Sequence, residues 1–325
     1  MSLTSNQRRQ MGMRYFAMPP RFDPAEGTTV FEPPGQGYGY WVGGHNAVFD
    51  PESGKFYLFC RLRRPLGKGR GELCRIAESA DGMHFKCIWE ASKQQFDAES
   101  IEVGSLIRDA RTGRWRLYVS FQRAGQGWRV DLVEAEELAG LDAWHHRTVM
   151  QAGDYGLSSI KDPKIYMIGG LYHAFVCVPA RRRFAELADG SRRAVGADAT
   201  ALLTSEDGIY WRELRYVLEP GRGPAGEWGH FRARINSVVW LEPMWVGFFD
   251  GGEGSYDNYE EWCGVAISSD LLNWRRVSRT GPWVRSPYGC VRYMDVLRVE
   301  DTIYYYYEYA RRDGSHELRV SRVEL

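Results

Sequence analysis

Apolar residues in this chain fall into short runs, and five aromatic ones resemble one another. They are Lys55-Phe56-Tyr57-Leu58-Phe59, Arg114-Trp115-Arg116-Leu117-Tyr118, Leu171-Tyr172-His173-Ala174-Phe175, Met244-Trp245-Val246-Gly247-Phe248 and Ile303-Tyr304-Tyr305-Tyr306-Tyr307. Their starts are separated by 59, 57, 73 and 59 residues. Before each lies another apolar strand and a turn, such as Asp50-Pro51-Glu52-Ser53-Gly54 or Gly169-Gly170. Strand, turn and strand at this spacing predict hairpins near residues 46–61, 101–121, 163–178, 235–250 and 294–309.

A third strand follows each hairpin. Three times it ends in a Ser-x-Asp turn with an aromatic close behind: Ser79-Ala80-Asp81-Gly82 before Phe85, Ser205-Glu206-Asp207-Gly208 before Trp211, and Ser268-Ser269-Asp270 before Trp274. A looser copy, Leu141-Asp142 before Trp144, sits in the second repeat. Asp and Gly suit the tight turn, and the aromatic opens a fourth strand. Four strands in each of five repeats predict an all-β fold, a five-bladed β-propeller, with residues 1–325 forming one domain. Two packed sandwiches would not produce so even a period. The fifth repeat stops at Leu325, after its third strand at 317–323. A strand from the N-terminal segment, between Met11 and Phe31, is therefore expected to close the ring, with residues 1–40 as lead-in.

Composition fits this reading. The chain has 12 Trp, 19 Tyr and 14 Phe among 325 residues, a strand-forming and folded composition. Lys+Arg and Asp+Glu both total 42, so no net charge draws it to nucleic acid or an anionic membrane. No apolar run reaches the roughly 18 residues of a membrane helix. The N-terminal stretch also lacks the apolar core of a signal peptide. The expectation is a soluble, cytoplasmic protein. The six cysteines show no CxxC and no zinc-like Cys/His spacing, and read as small buried apolar residues.

In such a ring, the starts of the inner strands and the ends of the second strands share one face. That face collects His45, Asn46, Arg61 and Arg63, then Glu99, Glu102 and Gln122, then Lys161 and Asp162. The fourth repeat adds Arg232, Arg234 and Asp250, and the fifth adds Arg292, Tyr293, Asp295 and Glu308. A polar mouth with Trp and Tyr around it suits a small-molecule or oligosaccharide ligand, whose ring faces stack and whose hydroxyls take bidentate partners. No cofactor or metal is called for, although His45 and His230 are candidates for holding a central cation.

Ile160-Lys161-Asp162-Pro163-Lys164-Ile165 is similar to the Arg-Asp-Pro-Lys-Val motif of fructosidases, and His45-Asn46-Ala47-Val48-Phe49 resembles the opening strand of mannoside phosphorylases. With the recurring Ser-x-Asp-Gly turn, the whole chain resembles the five-bladed propeller glycoside hydrolases: fructosidases, arabinanases, xylosidases and the related phosphorylases. The resemblance implies a glycoside hydrolase or transglycosidase working through paired carboxylates. Glycoside phosphorolysis and carbohydrate binding without catalysis are the alternatives. Together with the shared face, it gives Asp162, Glu102 and Glu227 as catalytic candidates, with Asn46, Arg61, Arg232, Arg234, Asp250, Arg292 and Glu308 as substrate-binding ones. The match is incomplete. Asn46 stands where the hydrolases carry an Asp, and Glu102-Val103-Gly104-Ser105 replaces the phosphorylase Glu-Asp-Pro-Arg.

Overall fold

The computed structural model describes residues 18–186, 188–221, 228–257 and 259–325, which form strands β1 to β22 and no α-helix. Blade 1 is β2 (Trp41–Asp50), β3 (Lys55–Arg63), β4 (Gly71–Ser79) and β5 (Lys86–Ser92). Blade 2 is β6 (Ser100–Arg108), β7 (Trp115–Arg123), β8 (Gly127–Ala135) and β9 (Arg147–Gln151). Blade 3 is β10 (Lys161–Ile168), β11 (Leu171–Pro179), β14 (Asp198–Ser205) and β15 (Arg212–Leu218). A small hairpin, β12 (Phe184–Glu186) and β13 (Arg192–Ala194), is inserted within it, which accounts for the long third period. Blade 4 is β16 (Arg232–Leu241), β17 (Met244–Gly252), β18 (Trp262–Ser268) and the two-residue β19 (Arg275–Arg276). Blade 5 is β20 (Val291–Val299), β21 (Thr302–Ala310) and β22 (His316–Glu324).

The fourth strand of blade 5 is β1 (Thr28–Phe31), antiparallel to β22 with Thr28 opposite Val320. Side chains fasten the segment before it. Phe22 stacks on Tyr305 at 4.5 Å, and the Tyr305 and Tyr307 hydroxyls donate to the carbonyls of Pro20 (2.9 Å) and Pro24 (2.8 Å). The four consecutive tyrosines thus serve two faces, as strand alternation requires. Tyr305 and Tyr307 hold the N-terminal segment, while Tyr304 packs on Phe56 of blade 1 and Tyr306 donates to Gly82 O at 2.7 Å.

The Ser-x-Asp turns build the joints between blades. In blade 3, Gly208 N donates to Ser205 Oγ, and the amides of Ile209 and Tyr210 donate to Asp207 Oδ1 at 2.8 and 2.9 Å. Tyr118 of blade 2 then donates to Gly208 O at 2.9 Å, the same latch that Tyr306 makes to Gly82. Gly208 has φ +73, and a Cβ there would lie 2.5 Å from the Tyr118 hydroxyl, so both backbone and space demand glycine.

The inner strands pack in order, β2 on β6, β6 on β10, β10 on β16, β16 on β20 and β20 back on β2. Side chains stitch that ring shut at every boundary. Asn46 Oδ1 accepts from Leu106 N (2.7 Å), Ser105 Oγ from Ile165 N (2.9 Å), and Tyr166 Oη from Val238 N (2.8 Å). Ser237 Oγ donates to Met294 O (2.9 Å), and Asp295 Oδ2 accepts from Ala47 N (2.6 Å). Five of the cysteines are buried as expected; Cys87 is exposed.

Candidate active site

Every inner strand carries one extra residue at the same register. The bulges fall at Gly44-His45, Glu102-Val103, Asp162-Pro163, Asn236 and Tyr293-Met294. A bulge re-aims the side chain it contains. Gly44, Asp162 and Tyr293 have φ of 57°, 54° and 52° at this point, a left-handed conformation that costs Asp and Tyr about 1 kcal/mol or more. Glu102 and Asp162 therefore occupy matching places on adjacent strands, 5% and 2% exposed.

Asp162 accepts from Arg234 at 3.1 Å, lies 3.3 Å from Lys161 Nζ, and leaves Oδ1 without a hydrogen-bond partner. Glu102 has three cations around it: Arg61 at 3.4 Å, Arg70 at 3.8 Å and Arg63 at 4.0 Å. Burial alone would raise the Glu102 carboxyl, but Arg61, Arg63, Lys161 and Arg70 outweigh it and hold the group below its ordinary value. Both acids act on Tyr293, whose hydroxyl is pushed up to about 12 by burial, with Asp162 and Glu102 adding to the rise.

Behind this pair the charges are tightly matched. Arg234 also donates to Asp250 at 2.6 Å and lies 4.5 Å over the Tyr293 ring. Asp250 in turn accepts from Tyr293 N at 3.0 Å, and its carboxyl is raised by burial. Arg292 donates to Glu308 at 2.5 Å and to Glu261 at 2.9 Å. Glu308 is held well below its ordinary value; burial opposes this, and Arg292 and His316 overcome it. Arg232 lies 3.3 Å from Asp198 and 3.7 Å from Glu261. Trp41, Trp128 and Tyr259 flank these cations, with Arg63 4.6 Å over Trp41 and Lys161 5.3 Å over Trp128.

The structure thus gathers Glu102, Asp162, Arg61, Arg234, Asp250, Arg292 and Glu308 into one linked cluster, with Arg232 joined through Glu261. Asn46 has a different task. Its Nδ2 donates to Asp295 Oδ2 at 3.1 Å while Oδ1 accepts from Leu106 N, so each polar end makes one bond to the ring. Glu227 lies outside the described residues. Arg70, Asp198, Glu260, Glu261 and His316 belong to the cluster but were not singled out in the sequence. All stand at or next to the start of a third strand, which hairpin geometry returns to the same face.

His45 is buried with both ring nitrogens lacking hydrogen-bond partners, and burial and Lys164 lower it to about 3. Lys164 Nζ donates to the His45 carbonyl, so a cation already stands beside this imidazole and the place does not suit a second one. His230 lines a separate cavity of about 460 Å³ between blades 3 and 4, with Arg181, Arg182, Glu219, Phe231 and Glu253. Among the described residues, one group has potential metal ligands in mutual reach: Glu260, Cys290 and His316. His316 already bonds Glu308 at 2.7 Å and lies 3.3 Å from Glu260, which accounts for these groups without an ion.

No family model matches the chain, and no curated protein does. Solved structures do. A β-xylosidase, RS223, aligns with a TM-score of 0.64 at 10% identity, over 92% of this chain and 95% of that one. A β-1,2-mannobiose phosphorylase from Listeria innocua gives 0.60 at 15%, over 91% and 94%. An N-acetylgalactosamine deacetylase from F. plautii, in complex with blood group B trisaccharide, gives 0.61 at 12%, over 92% and 94%. At such identities the likeness speaks for architecture alone, and on that level the chain shares the β-propeller fold of these proteins over nine-tenths of its length.

Proposed function

We propose that the protein is a glycoside hydrolase or transglycosidase that holds a carbohydrate in the axial mouth. The observation carrying this reading is the pairing of Glu102 and Asp162 on matching bulges of adjacent inner strands, both buried, with Lys161 3.3 Å from Asp162 and also among the charges that lower Glu102. Glycosidic cleavage uses two carboxyl groups around the scissile bond, one ionised and one that gives up a proton. Glu102, held ionised by its arginines, suits the base, nucleophile or charge-stabilising role. Asp162, with Oδ1 unpartnered, suits two adjacent sugar hydroxyls and the oxocarbenium-like transition state. Glu227 is the remaining candidate for the proton donor. The architectural kinship with a xylosidase and a phosphorylase supports the carbohydrate class.

A panel of aryl glycosides and oligosaccharides, assayed with and without inorganic phosphate, tests the proposal. Glu102→Gln, Asp162→Asn and Glu227→Gln should each lower kcat, by about 10²–10⁴-fold where acid–base work is lost, with folding intact. Normal turnover by both Glu102→Gln and Asp162→Asn would overturn the assignment, and strict dependence on phosphate would make the enzyme a phosphorylase. A binding-only propeller is the second reading. It is favoured by Asn46, whose place in the resembling hydrolases belongs to an Asp and which here bonds the ring at each polar end. Saturable sugar binding without turnover would establish it.

A further inference from the structure

Three guanidiniums converge on Glu102, and none closes onto it. Arg61, Arg70 and Arg63 stand off at 3.4, 3.8 and 4.0 Å, whereas Arg234 and Arg292 grip their acids at 2.6 and 2.5 Å. Arg61 is fully buried, yet its Nε, Nη1 and Nη2 all lack hydrogen-bond partners, as do the Nε atoms of Arg63 and Arg70. Buried guanidinium donors without acceptors are costly, and a planar fork of them matches a carboxylate. Arg70 also donates to Gln122 at 2.7 Å, and Arg61 feels Glu308 as well as Glu102, but Glu102 is the one acid within 4 Å of all three guanidiniums.

The second observation is the platform beside the cradle. Trp128 is half-buried, with Arg70 5.5 Å and Lys161 5.3 Å over its ring, and Tyr259 lies 4.5 Å under Arg63. An indole next to an oxyanion cradle fits a ligand with both an apolar ring face and a negative charge. Inorganic phosphate has only the second. We infer that the sector between blades 1 and 2 binds the carboxylate of an acidic sugar, a uronate, with Arg61, Arg63 and Arg70 as the cradle and Trp128 against the pyranose face. This rests on the carbohydrate reading above and narrows its substrate class.

Tryptophan fluorescence and calorimetry on the whole protein test it with five probes: D-galacturonate, D-glucuronate, D-galactose, D-glucose and inorganic phosphate. At least one uronate should bind tenfold or more tightly than its neutral counterpart, and the preference should shrink as salt is raised. Arg70→Gln, at a side chain 27% exposed, should abolish that preference while the protein stays folded, as read by its circular dichroism and a cooperative melt. Arg61→Lys should weaken uronate binding tenfold or more, and by a larger factor than it changes the binding of the neutral sugars. Equal affinity for acidic and neutral sugars, or phosphate binding more tightly than any uronate, would overturn the inference. Turnover of neutral glycosides with no uronate preference would do so while leaving the proposed function standing; no binding of either kind of sugar would bring down both.

Discussion

Asn46 and Asp295 are bonded across the boundary between blades 1 and 5, the amide Nδ2 donating to the carboxylate Oδ2 at 3.1 Å. The same oxygen accepts from Ala47 N, and the other end of the amide reaches blade 2. An ionised Asp at position 46 cannot donate, and either two carboxylates face each other in a buried place or one of them must take up a proton. Asn46→Asp is therefore expected to create no activity and to destabilise the fold by about 3 kcal/mol. The check is a thermal melt, with a fall of roughly 6 °C. A gain in turnover at unchanged melting temperature would contradict this account.

The N-terminal segment is expected to act as part of blade 5. Deleting residues 1–31 removes β1, the Phe22–Tyr305 stack and the acceptors of two tyrosine hydroxyls. The Tyr305 hydroxyl loses its acceptor, the Tyr307 hydroxyl keeps only Ser321 at 3.0 Å, and the apolar faces that Phe22 and β1 covered return to water. The truncated chain should melt at least 10 °C lower. Phe22→Ala alone should cost about 2 kcal/mol, measured by urea denaturation. An unchanged urea midpoint would show that this segment does not close the ring.

Acid should unfold the protein through its axis. His45 is lowered to about 3 by burial and Lys164, so between that value and its ordinary 6.5 the unfolded chain binds a proton that the folded one refuses. Stability then rises with pH across this window and falls as pH drops. The contribution between pH 7 and pH 5 is about 2 kcal/mol. Glu261 extends the effect. Burial is outweighed by Arg292, Arg234 and Arg232, its carboxyl lies at about 2, and its stabilisation is present above 4.5 and lost below. Denaturation midpoints in urea from pH 7 to pH 5 should decline in the parent protein and flatten in His45→Gln.

Thiol chemistry offers a simple count. Cys87 is exposed, whereas Cys60, Cys74, Cys177, Cys263 and Cys290 are buried, with burial pushing the Cys60 thiol up to about 12. One thiol per chain should react rapidly with a disulfide reagent at pH 8, and five more only after denaturation. Cys87→Ser should remove the fast phase. Rapid reaction of two or more thiols in the native protein would mean that a blade opens readily.

Much of this fold could be read from residues one after another. The five aromatic runs became second strands because alternation and turn chemistry act locally, and the Ser-x-Asp turns form as written at Asp81, Asp207 and Asp270. The site was half legible. Starts of first strands and ends of second strands led to Glu102, Asp162, Arg234 and Arg292. The same geometry returns the starts of third strands to that face, where Arg70, Asp198, Glu261 and His316 were passed over. Asn46 shows what the sequence leaves open. A polar residue opening an inner strand looks the same in sequence whether it meets a ligand or the neighbouring blade, and only the register across Asp295 and Leu106 separates the two.

The extra residue in each inner strand has an evolutionary consequence. The irregularity re-aims the side chain that stands at it without disturbing the ladder on either side, and Glu102, Asp162 and Tyr293 each occupy such a place. Each blade thereby offers one socket set apart from the regular ladder. Glycine, glutamate, aspartate, asparagine and tyrosine sit in those five sockets here. A scaffold built this way can acquire or surrender chemistry one substitution at a time, and its lineage can drift far in sequence while its outline persists.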